Sequence, residues 1–324
     1  MARYILRRLL WMIPIILGVS LLVFTLMFFC PGDPARIILG QGATQAEIAS
    51  LRETMGLNRG YFPRLFEFLV DTFVHGDLGS SYISKAPIAA EIAARLPQTL
   101  ILATLFMLSG VLVGVPLGII AAVKQDSIID RLCMVIAMLG ASVPNFWLAL
   151  LLILLFAVNL GILPAMGMGG PIYYILPTLS GAMGCIAVQA RQSRSSMLEV
   201  IRSDYVTTAR SKGVGSMGVI FKHELPNALI PVITCAGNDF GNSLGGALII
   251  EQIFSISGMG EYMVQAVFNR DYPVVQASAI FMAIAFSLIM LLVDLGYAFV
   301  DPRIKAQYEG KPLFKRKEKV PANE

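Results

Sequence analysis

Six long apolar runs, separated by charged stretches, constrain the fold of this chain more than any other feature. The first, at residues 9–29, is 21 residues long. At about 1.5 Å per residue, a helix of that length crosses the roughly 30 Å of hydrocarbon in a bilayer. Five further runs follow at about residues 100–123, 132–157, 172–188, 229–250 and 275–300. The pattern predicts an all-α integral membrane protein with about six transmembrane helices.

The charge content fits a chain whose main solvent is lipid. Only 14% of the residues are charged, against about 25% in soluble domains. The formal net charge is +4. Its basic residues lie at the ends of the apolar runs rather than along one face, which argues against a nucleic-acid partner.

The first run resembles a secretory signal at its start, because Arg3, Arg7 and Arg8 precede it. The apolar core of a signal is shorter and ends in small residues at a cleavage site. This run instead ends in Phe28-Phe29-Cys30-Pro31-Gly32. We therefore expect residues 1–30 to form an uncleaved first transmembrane helix.

Lysine and arginine are distributed unequally between the two sides of the predicted spans. With six spans, both termini lie on one side, and that side holds 18 of the 25 basic residues. Cytoplasmic loops carry the excess of lysine and arginine in membrane proteins. Both termini are therefore predicted to be cytoplasmic, and residues 301–324 to form a basic cytoplasmic tail.

Residues 31–98 form the large segment predicted to lie on the extracytoplasmic side. The spacing of Thr44 and Glu47 is typical of a helix start. Short helices are expected there, ahead of a five-helix core at residues 99–300. The segment either contacts an extracytoplasmic partner or folds as a plug over the first two helices.

Glycines spaced by four residues indicate close helix packing in the second and fifth runs. They occur at residues 110, 114 and 118 and at residues 237, 241 and 245. This spacing places each set on one helix face, where backbones can approach closely. The functional alternative is that the smooth glycine faces let the helices slide against each other during gating.

Two acidic residues occur inside the apolar runs. Asp239 lies between Asn238 and Asn242, and this polar group is the best candidate for lining a hydrated translocation pathway. A polar pair between two helices is the alternative. For Asp294 the polar pair is the favoured interpretation.

The stretch between the fourth and fifth runs predicts a short helix on the cytoplasmic side. Ser203 or Asp204 can cap a helix from about Tyr205 to Lys212, and Gly213 is a natural stop. Such a helix, held between two turns, suits a knob that enters a groove on a partner. An ordinary interfacial helix is the alternative.

Enzyme signatures are absent from the sequence. No lysine is followed by serine or threonine, so the chain lacks the phosphate-binding loop of an ATPase. His223-Glu224 begins like a zinc-protease motif, but Asn227 occupies the second ligand position. The only other histidine, His75, is predicted on the opposite side, which disfavours a membrane serine protease. We expect no catalytic residue, no metal site and no cofactor bound by this chain.

Residues 204–226 resemble the EAA loop of bacterial ABC-importer permeases. That pattern reads Glu-Ala-Ala, three residues, Gly, nine residues, then Ile-x-Leu-Pro. Here Thr207-Thr208-Ala209, Gly213 and His223-Glu224-Leu225-Pro226 occupy those positions with the spacing intact. The family's glutamate, first alanine and isoleucine are replaced by Thr207, Thr208 and His223.

With these departures, the segment resembles the dipeptide/oligopeptide/nickel branch of the family. Within that branch it resembles the B-type inner-membrane component. The branch favours Tyr-Val-x-x-Ala-Arg-x-Lys-Gly, which residues 205–213 match. Further blocks of the same branch follow one another along the chain: Pro31-Gly32-Asp33-Pro34, residues 77–81, residues 141–147, Glu251-x-x-Phe254-x-x-x-Gly258-x-Gly260, residues 269–273 and Asp301-Pro302-Arg303.

The resemblance implies a type I ABC importer permease fold in a bacterial plasma (inner) membrane. It also implies a second, homologous permease, two cytoplasmic ATPases that use ATP and Mg²⁺, and an extracytoplasmic substrate-binding protein. Ala209 and Gly213 would form the core of the ATPase contact, with Tyr205, Arg210 and Lys212 beside them.

The substrate is left open by the sequence. Di- or oligopeptides are the first choice for this branch, and glutathione, nickel or an opine-type metallophore are the alternatives. A passive channel or a membrane scaffold is the alternative of a different class.

Overall fold

The computed structural model of the chain describes residues 2–40 and 42–300. Fifteen α-helices make up most of this part, which contains no β-strand. In chain order they are α1 (Ala2–Phe29), α2 (Pro34–Leu39), α3 (Gln45–Thr54), α4 (Tyr61–Val70), α5 (Ile88–Ser109), α6 (Val115–Val123), α7 (Ile128–Ser142), α8 (Asn145–Leu152), α9 (Ile175–Gly181), α10 (Met183–Ile201), α11 (Asp204–Ser211), α12 (Ser216–Gly218), α13 (Leu225–Phe254), α14 (Met259–Phe268) and α15 (Tyr272–Val300). The predicted tail at residues 301–324 lies outside the described residues.

Three continuous helical stretches are long and apolar enough to cross a membrane. They are Ile5–Phe29, Ile88–Val123 and Tyr272–Gly296. The second consists of α5 and α6, which are joined by a π-helical turn at Gly110–Gly114. Two further spans are broken by sharp bends, so length and composition together support up to five spans.

The sharper bend has a local cause in the sequence. The axes of α7 and α8 differ by 93°, and the break falls at Val143, which is extended with ψ 125°. A residue before proline avoids the helical region, and Pro144 follows it. The second bend, of 57°, separates α9 from α10. It follows Gly181, which packs so tightly against the ring of Phe106 that a Cβ has no room there.

The fifth predicted run lies within α13, the long helix at the centre of the described bundle. At about 1.5 Å per residue its 30 residues extend roughly 45 Å. It is not one of the five apolar spans, because Asn238, Asp239, Asn242 and Ser243 lie in the middle of it. α13 packs against α5, α8, α9, α10, α14 and α15, and Asp239 and Ser243 are buried among them, whereas Asn238 and Asn242 are exposed.

One apolar cluster fixes the bundle around α13. Ile250 and Phe254 on α13 are fully buried against Leu102 and Phe106 of α5 and Leu176 of α9. In a membrane such contacts stabilise by van der Waals packing, because lipid chains are as apolar as the buried side chains. The cluster therefore holds the end of α13 that follows its polar middle.

The first glycine set allows α5 and α6 to touch α10 almost backbone to backbone. Gly110, Gly114 and Gly118 all face α10, and a Cβ on Gly114 would stand 2.5 Å from the carbonyl oxygen of Ile186. The predicted close packing is therefore present in the structure. In the second set, Gly237 and Gly241 face α15, but a Cβ on Gly245 would meet open space.

The segment predicted to be extracytoplasmic contains α2, α3 and α4. The predicted cap of α3 is present, since the Glu47 amide donates to Thr44 Oγ1 and the Thr44 amide donates to the Glu47 carboxylate. The hydrogen bonds that the Thr44 amide and the Thr44 hydroxyl donate to the carboxylate lower the pKa of Glu47. Tyr61 of α4 packs edge-on against Phe24 and Phe28 of α1, which docks the segment on the first span. The predicted boundary at residue 99 falls inside α5, which begins at Ile88.

Candidate functional site

The short helix predicted on the cytoplasmic side is α11, at Asp204–Ser211. It begins one residue before the predicted start at Tyr205 and ends one residue before the predicted end at Lys212. Ser203 occupies the cap position, but its hydroxyl donates to the carbonyl of Val200 instead of capping the helix. The turn before α11 is therefore held by a hydrogen bond to the last turn of α10.

Gly213 ends the helix in the left-handed conformation, with φ +80°. Its amide donates to the carbonyl of Arg210, and the amide of Val214 donates to that of Ala209. A Cβ on Gly213 would meet no atom within 4 Å. Glycine is required here by its backbone angle rather than by a close neighbour.

The five predicted contact residues divide into an exposed set and a buried one. Tyr205, Arg210, Lys212 and Gly213 are exposed at the surface. Ala209 is only 7% exposed and, with the fully buried Val206, anchors α11 to the rest of the chain. The surface that α11 offers is therefore built by residues around Ala209 rather than by Ala209 itself.

An ion pair that sequence reasoning missed joins α11 to the start of α13. Arg210 Nη2 donates to Glu224 Oε1 at 3.0 Å, and Glu224 is fully buried in the π-helical turn Val219–Glu224 that leads into α13. The other carboxylate oxygen of Glu224 has no hydrogen-bond partner among the described residues. No helical spacing relates positions 210 and 224, so the sequence contains no local signal for this pair.

The polar group predicted for the pathway is divided between two faces of α13. Asp239 is 8% exposed and accepts a hydrogen bond of 2.7 Å from Gln189 Nε2 on α10. Its backbone carbonyl also accepts from the hydroxyl of Ser243. Asn238 and Asn242 are exposed, on the adjacent side of the helix. Asp239 therefore makes a polar pair between two helices, as the alternative describes, and a place for the three residues in the pathway stays a prediction.

Asn238 and Asn242 belong to a stripe that no other described element covers. Asn238, Asn242, Gly245, Ile249 and Gln252 are all exposed. Their spacing by three and four residues places them on one helix face. α13 is packed on its other sides, so this partly polar stripe is its uncovered face.

Two further ion pairs tie the spans together. Asp130 of α7 accepts two hydrogen bonds of 2.7 Å from Nε and Nη2 of Arg194 on α10. Arg8 of α1 pairs with Asp294 of α15, which is the polar pairing favoured for Asp294. Sequence reasoning did not find the Asp130–Arg194 pair, because α10 extends to Ile201 through a stretch that was assigned to the cytoplasmic loop.

Comparison with known proteins identifies the family to which this fold belongs. The model of the binding-protein-dependent transport system inner membrane component matches residues 114–306, and that of its N-terminal part matches residues 1–103. The chain belongs to this family of transport permeases. The resemblance inferred from the EAA-like segment and the ordered motifs is confirmed, and the chain is a multi-pass membrane protein of a bacterial inner-membrane transport family.

Curated relatives of the family match nearly the whole chain. The dipeptide transport system permease protein DppB of Alkalihalophilus pseudofirmus is 42% identical over an alignment of 333 residues, which covers 94% of this chain and 100% of the relative. The glutathione transport system permease protein GsiC of Escherichia coli is 43% identical over 305 residues, covering 94% and 99%. These names describe permeases, not enzymes, and support the dipeptide/oligopeptide-type branch.

A solved structure supports the permease fold independently. The inward-facing MetNI methionine ABC transporter contains a chain that matches with a TM-score of 0.57 at 20% identity. The match covers 66% of this chain and 98% of the other. The all-α fold of an ABC importer permease is therefore confirmed.

Proposed function

We propose that this permease forms half of the translocation pathway of an ATP-driven importer for di- or oligopeptides. The similarity to dipeptide and glutathione permeases over 94% of the chain carries the proposal. No comparable observation favours nickel or a metallophore as the substrate.

The uncovered stripe on α13 supports a second, homologous permease as the other half. A long helix at the centre of a bundle normally buries all its faces, but Asn238, Asn242 and Gln252 are exposed. A second permease facing this stripe would enclose a polar path between the two chains. Asn238 and Asn242 would line that path, and Asp239 would act from behind by fixing α13 to Gln189.

The exposed surface of α11 supports a cytoplasmic ATPase as its partner, with one ATPase beneath each permease. Tyr205, Arg210, Lys212 and Gly213 lie at that surface. The chain lacks a phosphate-binding loop, so ATP and Mg²⁺ would be bound by the ATPase chains. A binding protein would deliver the peptide on the opposite side.

Coupling would follow the contacts between α11 and α13. Ala209 and Val206 seat α11 on its own chain, and Arg210 holds the buried Glu224 at the entrance to α13. Movement of an ATPase groove against α11 would therefore reach the helix that lines the pathway. Because charged hydrogen bonds are about twice as strong as neutral ones, this pair suits such a transmission.

Reconstitution tests the function directly. The chain would be co-expressed with its partner permease, ATPases and binding protein, incorporated into vesicles, and supplied with labelled dipeptide, glutathione or Ni²⁺. ATP-dependent dipeptide uptake is expected. Accumulation of Ni²⁺ alone would overturn the peptide assignment, and flux without ATP would identify a passive channel.

Sidedness is tested separately by cysteine labelling in intact cells. The exposed positions Ser50 on α3 and Ser216 on α12 would each be replaced by cysteine in a background without the four native cysteines. With both termini cytoplasmic, a membrane-impermeant maleimide labels Ser50→Cys in intact cells. It labels Ser216→Cys only after permeabilisation, and the reverse pattern would invert the topology.

A further inference from the structure

Arg191 of α10 is a cation at the depth of an apolar span. Gly114 of α6 packs against Ile186 of α10, and Gly118 packs against Ser193, so the two helices run in the same direction. Gly118 lies five residues before the end of the span formed by α5 and α6. Arg191 precedes Ser193 by two residues. At about 1.5 Å per residue, it therefore lies roughly 10 Å inside the end of that span.

A charge at this depth faces water or protein rather than lipid. Charged side chains within membrane helices are costly in lipid, and they almost always face the interior of a bundle or a water-filled cavity. Arg191 is exposed and makes no ion pair with any described residue. The nearest acidic side chain of α13, Asp239, is buried and bonded to Gln189 instead. The anion that Arg191 faces must therefore come from outside the described part of this chain.

Two contacts between α10 and α13 place Arg191 at the level of the uncovered stripe. Cys185 contacts Ser243, and Gln189 contacts Asp239. As the numbers rise on α10 they fall on α13, so these helices run in opposite directions. Arg191, two residues after Gln189, thus lies at the level of the first asparagine of the stripe.

Arg191 also lies on the side of α10 that continues the stripe. Its guanidinium is within electrostatic range of Cys235 on α13. Further along α10, Glu199 lines one cavity of about 640 Å³ with Arg191 and another of about 260 Å³ with Pro231 of α13. Two helical turns separate Pro231 from Asn238, so both lie on the face of the stripe. The exposed faces of α10 and α13 therefore form one polar surface.

We propose that Arg191 binds the terminal carboxylate of a peptide in the translocation path. The inference rests on the proposed function and deepens it, because it names the group of the substrate that this chain recognises. A guanidinium donates two parallel N–H bonds to a carboxylate, and an unmodified peptide ends in one. Asn238, at the same level, offers an amide that can donate to and accept from a peptide group.

The same charge disfavours a metal ion as the cargo. An arginine without an anionic partner repels a bare divalent cation, and the repulsion grows where the surroundings are less polar than bulk water. Free Ni²⁺ would meet this repulsion at the level of the stripe. A zwitterionic peptide can turn its carboxylate towards Arg191 and its ammonium group away from it.

Protection from thiol labelling tests the contact without measuring uptake. Ser195 is exposed one turn after Arg191, so Ser195→Cys reports whether the site is occupied. The variant would lack the four native cysteines and be assembled with the partner permease and the ATPases, without the binding protein. Millimolar alanyl-alanine should slow labelling by a water-soluble maleimide several-fold. Acetyl-alanyl-alanine, which keeps the carboxylate alone, should do the same, whereas alanyl-alanine amide and Ni²⁺ should not.

Variants of two arginines on α10 identify the contact. In R191Q, half-protection should need about tenfold more alanyl-alanine, because a charged hydrogen bond is lost. R191K keeps the charge and should retain part of the protection, which separates loss of the contact from misfolding. Arg202 is exposed on the same face, eleven residues further along and so roughly 16 Å away. R202Q is the matched control and should leave protection unchanged.

Several outcomes would overturn the proposal. They are equal protection by the acid and the amide, protection by Ni²⁺, full protection in R191Q, and no protection by any peptide. If no peptide protects and R191Q also loses the second permease on purification, Arg191 pairs with that chain instead. Failure of this test with ATP-dependent dipeptide uptake intact would remove the carboxylate contact alone, whereas absence of uptake would remove the proposed function.

Discussion

Arg210, at the end of α11, donates a 3.0 Å hydrogen bond to the fully buried carboxylate of Glu224, at the entrance to α13. Arg210 lies at the exposed surface of α11. Glu224 lies in the π-helical turn that continues into the central helix α13. Their contact is the one described ion pair that joins α11 to the rest of the chain.

Replacing Arg210 with methionine is expected to destabilise the permease and to reduce ATP-dependent uptake. The substitution leaves the buried Glu224 without its partner, at a cost of about 1–3 kcal/mol. An R210M/E224M double variant should regain most of the lost stability, because both charges are removed together. Thermal unfolding in detergent and vesicle uptake measure the two effects.

The double variant separates stability from coupling. Its uptake should remain low although its unfolding midpoint recovers, since the link between α11 and α13 is absent. The exposed Arg36 makes no ion pair in the described part of the chain, so Arg36→Met serves as the control. Uptake by R210M/E224M at the unmodified rate would show that the ion pair does not transmit motion.

Gly213 and Gly215 provide a matched pair for the end of α11. Both are exposed and both have open space where a Cβ would stand, but only Gly213 has a positive φ. Gly213→Val should cost about 1–2 kcal/mol locally and reduce uptake several-fold, whereas Gly215→Val should have little effect. If the two variants support equal uptake, the positive φ is not the reason that glycine is needed at position 213.

Gly114 should not tolerate even a methyl group. Its Cβ would stand 2.5 Å from the carbonyl oxygen of Ile186, while Gly184, on α10, has open space. Gly114→Ala is expected to lower the free energy of unfolding by about 1–3 kcal/mol through overpacking. Gly184→Ala should leave it unchanged or raise it by up to about 1 kcal/mol. A higher unfolding midpoint for Gly114→Ala would contradict the close approach.

Neighbouring positions on α13 should differ in their access to water. In a background without native cysteines, Asn242→Cys should react with a water-soluble thiol reagent in the assembled importer, because Asn242 lies on the uncovered stripe. Ser243→Cys should be protected, since Ser243 is buried. If Asn242→Cys reacts only with a lipid-soluble reagent, the stripe faces lipid rather than a hydrated pathway.

Features encoded in neighbouring residues could be predicted from the sequence. The cap of α3 by Thr44 and Glu47, the stop at Gly213 and the packing of Gly114 all follow from spacing along one helix. The apolar runs located the membrane helices for the same reason. Each depends on residues that are close together in the chain, which a single sequence shows directly.

Features that depend on the path of the chain in space could not be predicted in this way. The contact of Asp239 with Gln189 could not be predicted, because the apolar run does not fix how α13 is rotated against α10. Arg194 was placed in a loop, because charged residues end an apolar run although they need not end its helix. The Arg210–Glu224 and Asp130–Arg194 pairs join distant segments and have no periodic signature.

The backbone contact of Gly114 and Gly118 with α10 also bears on how this permease changes conformation. No layer of side chains separates the two helices, so neither can turn or shift along the other without driving carbonyl oxygens into Cα atoms. We expect α6 and α10 to travel as one rigid body. The movements of alternating access should then occur at helix contacts outside this pair.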